Sequence, residues 1–181
     1  MAALLGLDIE AAREVAEGTH GHGVCVVAND NCPGQIVVSG NTAAVQRAVA
    51  LAAERGARRS IMLPVSAPFH CSLMKPAQDR LEVDLNALRM QKPVYPVACN
   101  VEASLVVDEQ RARATLVGQV TGSVKWEQCM RLLIQQGLET FVEIGPGKVL
   151  CGLMRQIDRS KTCLNVGDEA SLTKALAHFG S

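Results

Sequence analysis

Aromatic side chains are nearly missing from this chain: one Trp, one Tyr and three Phe among 181 residues. A surface that stacks nucleic-acid bases needs several of them, so that class is excluded. An excess of one charge sign is also missing. Lys plus Arg equals Asp plus Glu at 18 each, and only Arg55, Arg58 and Arg59 cluster locally. Such a balance gives no field for a polyanion, and no nucleic-acid partner is expected. No apolar run approaches the ~20 residues that span a bilayer. The opening Met1–Leu7 is apolar but short, and has neither a basic flank nor a cleavage site. No membrane association is expected, and the expected location is cytoplasmic. The seven cysteines are odd in number, and no two form a C-x-x-C pair. Zinc and dithiol-redox motifs are therefore unsupported, reduced thiols are expected, and no metal site is assigned.

What is present describes an ordinary globular protein, 48% hydrophobic and 20% charged, long enough for one medium domain or two small subdomains. Residues 1–65 alternate regularly. Ala2–Leu7 suits a buried strand. Asp8 can cap a helix to about Glu17, with Gly18 as its stop. Val24–Ala28 and Ile36–Ser39 read as strands around the turn-rich Asn29–Gln35. A helix from about Thr42 to Gly56 and a strand Ile61–Val65 complete a β-α-β-β-α-β order, the ferredoxin-like split unit. Residues 66–181 read as a second subdomain. It has a helix entered at Pro76 with Ala77, Leu81, Leu85 and Leu88 on one face, and further helices near 109–118, 125–136, 148–157 and 169–178. Strands are expected at 94–99, 141–144 and 163–166. The alternation implies a parallel α/β sheet, short of strands.

No serine has glycine at both minus two and plus two, so a G-x-S-x-G nucleophile elbow is absent. His70 lies in a strand-to-helix loop stiffened by Pro64 and Pro68. It reads either as a catalytic base or as a surface residue with a local hydrogen bond. Cys71 beside it is a weak candidate nucleophile, since adjacent side chains diverge. The His20-x-His22 pair has no third ligand nearby and reads as loop. Gly145-Pro146-Gly147-Lys148 lacks the Walker spacing and reads as a tight turn. The amides at Asn29–Gln35 form either a hairpin connection or a polar surface facing an acyl group.

Five segments in order carry a family resemblance: residues 1–7, 31–40 (NCPGQIVVSG), 63–77 (LPVSAPFHCSLMKPA), 119–126 (QVTGSVKW) and 142–150 (VEIGPGKVL). The chain resembles the C-terminal portion of the malonyl-CoA:acyl carrier protein transacylases. That resemblance implies an α/β fold: a ferredoxin-like small subdomain with the C-terminal part of an α/β-hydrolase-like one. It further implies malonyl transfer from malonyl-CoA to the phosphopantetheine thiol of acyl carrier protein in type II fatty acid synthesis, by a Ser-His ping-pong mechanism without a cofactor. His70 matches the catalytic histidine, and the main-chain carbonyl at Gln119 matches the group that orients it. Asn31 and Asn100 match polar positions near the site. Phe69 resembles malonyl-selective members. The family's serine elbow and carboxylate-binding arginine lie upstream of the matched region, so the chain alone is expected to be inactive and to self-associate through a truncated sheet. The alternatives are a non-catalytic module binding acyl carrier protein or CoA, and a ferredoxin-like regulatory domain.

Overall fold

The structure, a computed structural model, describes residues 1–180. It falls into two compact units, Met1–Cys129 and Met130–Ser181. In the first, β1 (Ala2–Leu5), α1 (Ile9–Glu17), β2 (Cys25–Cys32), β3 (Gln35–Gly40), α2 (Thr42–Glu54) and β4 (Arg59–Met62) follow in order. The sheet order is β4-β1-β3-β2, with every neighbour antiparallel. This is the arrangement expected of the split β-α-β-β-α-β unit. Asp8 caps α1 by accepting a hydrogen bond from Ala11 N at 2.8 Å, and Gly18 ends it. Between α1, α2 and one sheet face lie Leu4, Val15, Ile36, Val38, Val45 and Ala48, all buried. Three of the facing helix positions are alanine, Ala12, Ala48 and Ala52, which lets backbone and sheet approach closely.

The turn-rich stretch is not a loop. β2 continues through Asn29, Asp30, Asn31 and Cys32, leaving only Pro33-Gly34 as the turn. Alternation explains why: Ala28, Asp30 and Cys32 are buried while Asn29 and Asn31 are half-exposed. Register shifts beside Asn29 and between Asp30 and Cys32 absorb the irregular residues. Gly40 is required where β3 passes β2, since a Cβ there would lie 1.8 Å from the Val24 carbonyl oxygen. Next to it, Asn41 Oδ1 accepts from Val24 N at 2.8 Å instead of capping α2.

The remainder of this unit holds a short 3-10 turn (Ser72–Met74), α3 (Lys75–Ala87), β5 (Val97–Cys99), β6 (Ser104–Val106), α4 (Glu109–Gln119) and β7 (Val124–Lys125). β5 corrects an expectation: it pairs antiparallel with β6 rather than joining a parallel sheet. Ala103 makes the reversal in the left-handed region, at φ +53°. β7 pairs parallel with β2 and becomes a fifth strand of the first sheet. Ser123 Oγ donates to Ala28 O at 3.2 Å beside that pairing. These ties hold the stretch up to Cys129 in one compact unit with the first sheet. α3 packs on α4, yet none of its residues is fully buried; of its anticipated face, Leu81 and Leu85 are half-buried and Ala77 and Leu88 exposed.

α5 spans Trp126–Gln135. In the second unit β8 (Thr140–Ile144) and β9 (Thr162–Val166) pair parallel, joined through α6 (Val149–Ile157), and α7 (Glu169–Phe179) follows. Cys151, Leu153, Met154 and Ile157 fill the space beneath α6. Among the described residues the parallel sheet has two strands, because the stretch expected to supply a third forms the β5–β6 hairpin. The Gly145–Gly147 segment is a turn, as expected, held by Asn165 Nδ2 donating to Gly147 O at 2.6 Å. No described helix is long and apolar enough to cross a membrane.

Glu143 serves as the missing cap of α6. Its two carboxylate oxygens accept from Leu150 N at 3.0 Å and Cys151 N at 2.8 Å. Desolvation pushes this carboxyl up, but those backbone N–H groups outweigh it and hold it below its ordinary value. A lowered folded pKa gives stability that is present above the unfolded value and is lost as pH falls through the folded one. Glu143→Ala should therefore cost roughly 0.5–1 kcal/mol at neutral pH, an exposed cap lying at the low end of the range. Denaturant midpoints of the two proteins should converge as the carboxylate titrates in acid. Gly40→Ala should lower stability by about 1–3 kcal/mol, read as a lower midpoint at unchanged m-value.

Candidate functional site

The loop after β4 is narrowly constrained. Pro64 and Pro68 limit its backbone, and Val65 N donates to Leu63 O at 2.8 Å. Cys71 is 1% exposed and its Sγ donates to Pro68 O at 3.1 Å, closing the loop on itself. Between these anchors His70 sits at φ +61°. A non-glycine residue there costs of order 1–3 kcal/mol and persists only where its surroundings hold it. Here they do, and the strain turns the imidazole toward the end of α4.

That helix end supplies the partner. Gln119 is the last residue of α4, and the last carbonyls of a helix have no intrahelical donor. His70 Nδ1 lies 3.1 Å from Gln119 O, bridging 49 positions of chain. A carbonyl only accepts, so Nδ1 carries the proton and Nε2 is the basic nitrogen. The Gln119 side chain holds the turn that follows, its Nε2 donating to Gly122 O at 3.0 Å. Thr121 Oγ1 donates to Gln78 Oε1 at 2.6 Å and ties the following turn to α3. Sequence reasoning missed Thr121 and Gln78; nothing in their spacing signals the contact.

Asn100 lies just beyond β5, and its carbonyl accepts from Lys125 N at 3.0 Å. With Gln119, Pro93, Val97 and Thr115 it lines a mostly apolar cavity of about 350 Å³. His70, Gln119 and Asn100 are thus brought together, the first two by a hydrogen bond and the last two by a shared wall. Asn31 is in β2, half-buried, rather than in the expected turn. Phe69 is 39% exposed beside His70.

Burial raises Cys25 and Cys32, and pushes Cys129, whose Sγ donates to Cys99 O at 3.3 Å, up to about 11. Among the described residues no three His, Cys, Asp or Glu side chains converge as metal ligands.

The transacylase of Bacillus subtilis (malonyl CoA-acyl carrier protein transacylase) is 41% identical over 177 residues, covering 97% of this chain and 56% of its own length. The same-named protein of Escherichia coli K12 is 39% identical over 180 residues. The structure of acyl-carrier-protein-S-malonyltransferase from Bartonella henselae superposes with a TM-score of 0.95 at 41% identity, covering 99% of this chain and 57% of that one. Over nearly its whole length the chain is similar to malonyl CoA-acyl carrier protein transacylases. It spans about 56–57% of the length of the curated relatives it matches. No family model matches it. A malonyl-transacylase solved in complex with its type II PKS acyl-carrier protein also superposes, with a TM-score of 0.95 at 36% identity, covering 98% of this chain and 57% of that one. These neighbours carry the ferredoxin-like and α/β-hydrolase-like arrangement expected from the sequence.

The orientation of His70 is directly measurable. Long-range ¹H–¹⁵N NMR of the imidazole should show Nδ1 protonated and Nε2 bare above the histidine titration. The opposite tautomer would mean that Gln119 O does not hold the ring.

Proposed function

We propose that this chain carries the general-base half of a malonyl-transfer site, and that the serine it serves lies outside these 181 residues. The observation that carries this reading is His70 Nδ1 against the Gln119 carbonyl at the end of α4. In the proposed reaction His70 Nε2 accepts the serine proton as the oxygen attacks the thioester carbonyl of malonyl-CoA. The tetrahedral oxyanion collapses, the carbon–sulfur bond breaks, and the imidazolium returns its proton to the departing CoA thiolate. The phosphopantetheine thiol of acyl carrier protein then gives its proton to the same nitrogen and attacks the malonyl-serine ester. That intermediate collapses, the ester carbon–oxygen bond breaks, and the imidazolium returns its proton to the serine oxygen, leaving malonyl on the carrier thiol. The Gln119 carbonyl stabilises the imidazolium in both halves and keeps Nε2 aimed outward, the task a carboxylate performs in a Ser-His-Asp triad. No cofactor enters this scheme.

Asn100, Asn31 and Phe69 are proposed to shape the acyl pocket beside this histidine. The acyl carrier protein is the proposed partner, supported by the related transacylase solved with such a protein. Fatty acid synthesis in the cytoplasm is the proposed setting. Exposed apolar residues favour self-association of the isolated chain, with Val94 88% and Tyr95 79% exposed in the first unit and Ile144 83% exposed in the second.

Intact mass after incubation with malonyl-CoA tests the central point. The 181-residue chain should gain no malonyl group. Gain of one would show that it holds its own nucleophile and would overturn the division of labour. When the remaining length of the family sequence is supplied, malonyl transfer should appear, and His70→Ala should lower it by roughly 10²–10⁴-fold.

A further inference from the structure

Within the second unit two thiols sit closer together than unbonded sulfurs normally rest. Cys151 Sγ, in the first turn of α6, lies 2.6 Å from Cys163 Sγ in β9. A disulfide bond needs about 2.05 Å, so the sulfurs have only about half an ångström to close. Both cysteines are free in this structure. Neither belongs to the site built around His70, and the proposed acyl transfer uses neither.

The two differ in access. Cys151 is 4% exposed, its Sγ donates to Leu164 O at 3.4 Å, and its backbone N–H is held by Glu143. Cys163 is half-exposed. Both line a cavity of about 230 Å³ whose wall also carries Lys148, Arg155, Lys174 and Ser171. No carboxylate lines that wall. Asp168 lies close enough to feel Lys148 and Lys174, and Glu143 is engaged in capping α6. A half-exposed thiol beside a buried one, under three cationic side chains, is a configuration suited to an anionic disulfide reagent.

We propose that Cys151 and Cys163 form a disulfide by exchange with an anionic low-molecular-weight disulfide of the glutathione type. The Cys163 thiolate attacks one sulfur of the reagent, forming a mixed disulfide and releasing one reagent thiolate. The Cys151 thiol gives up its proton to solvent and attacks the Cys163 sulfur, releasing the second. Two cysteine thiols are oxidised and one reagent disulfide is reduced to two thiols, so the electrons balance. Burial, with the Cys163 sulfur and Glu143 adding to it, pushes the Cys151 thiol up to about 12. That fits Cys151 as the second, resolving sulfur and not the first attacker. The bond pins α6 to β9 at the end of the helix that Glu143 and the Asn165-held turn already position.

The test treats the reduced 181-residue chain with glutathione disulfide, or with cystamine as a cationic counterpart, and follows intact mass and non-reduced peptide maps. The expected product has lost two hydrogens, holds a cross-link between the peptides containing residues 151 and 163, and forms several-fold faster with glutathione disulfide at low salt. Cys151→Ser should stop at one glutathionyl group on Cys163, and Cys163→Ser should give no cross-link at Cys151. A wild-type product that retains glutathione, or a cross-link elsewhere such as Cys99–Cys129, would overturn the pairing. A faster reaction with cystamine would overturn the anionic-reagent assignment.

Discussion

At the end of a helix the last carbonyls point outward without a donor, and one of them meets a histidine from far earlier in the chain. That meeting between Gln119 O and His70 Nδ1 constrains everything around it. It requires α4 to stop at residue 119, and the Gln119 side chain on Gly122 O holds the chain in the turn that follows. It also requires the 64–71 loop to carry His70 in a left-handed backbone, which the buried Cys71 and its bond to Pro68 O sustain. The helix macrodipole adds partial negative charge at the place where an imidazolium benefits most. Strain in the loop is offset by a hydrogen bond that leaves the ring only one free nitrogen.

The five-stranded sheet gives that hydrogen bond a stable frame. Its first four strands close around alanine-rich helices, and β7 then docks on the outer edge of β2. Only two residues long, β7 contributes little hydrogen bonding itself. Its effect is positional, because it lies directly after the turn that carries Gln119 and Thr121. Asn100 joins the same frame through Lys125 N, so the cavity wall and the histidine's partner are anchored to one sheet.

The second unit follows a different rule. Two parallel strands with one crossover helix bury little, and Ile144 and Val149 remain largely exposed. Parallel sheets are ordinarily covered on both faces. This unit relies instead on local devices: the Glu143 cap, the Asp168–Ser171 capping box on α7, Asn165 against the glycine turn, and the paired sulfurs of Cys151 and Cys163.

Local signals determined much of this protein. Apolar periodicity placed α1, with caps at Asp8 and Gly18, and α2, with its stop at Gly56, and the order of short β-branched runs placed the ferredoxin-like sheet. The motif around residues 63–77 pointed to His70, and the QVTGSVKW segment pointed to Gln119. These features are readable because helix propensity, capping and alternation act within a few residues. What only the tertiary structure decided depends on pairing at long range. β2 absorbed a turn-rich stretch because β3 offered it a partner on one edge and β7 on the other. Val97–Cys99 turned back on β6 because Ala103 permitted a tight reversal. A two-residue strand has no period to detect, and the approach of Cys151 to Cys163 depends on how α6 lies over β9, a distance that no spacing in the sequence encodes.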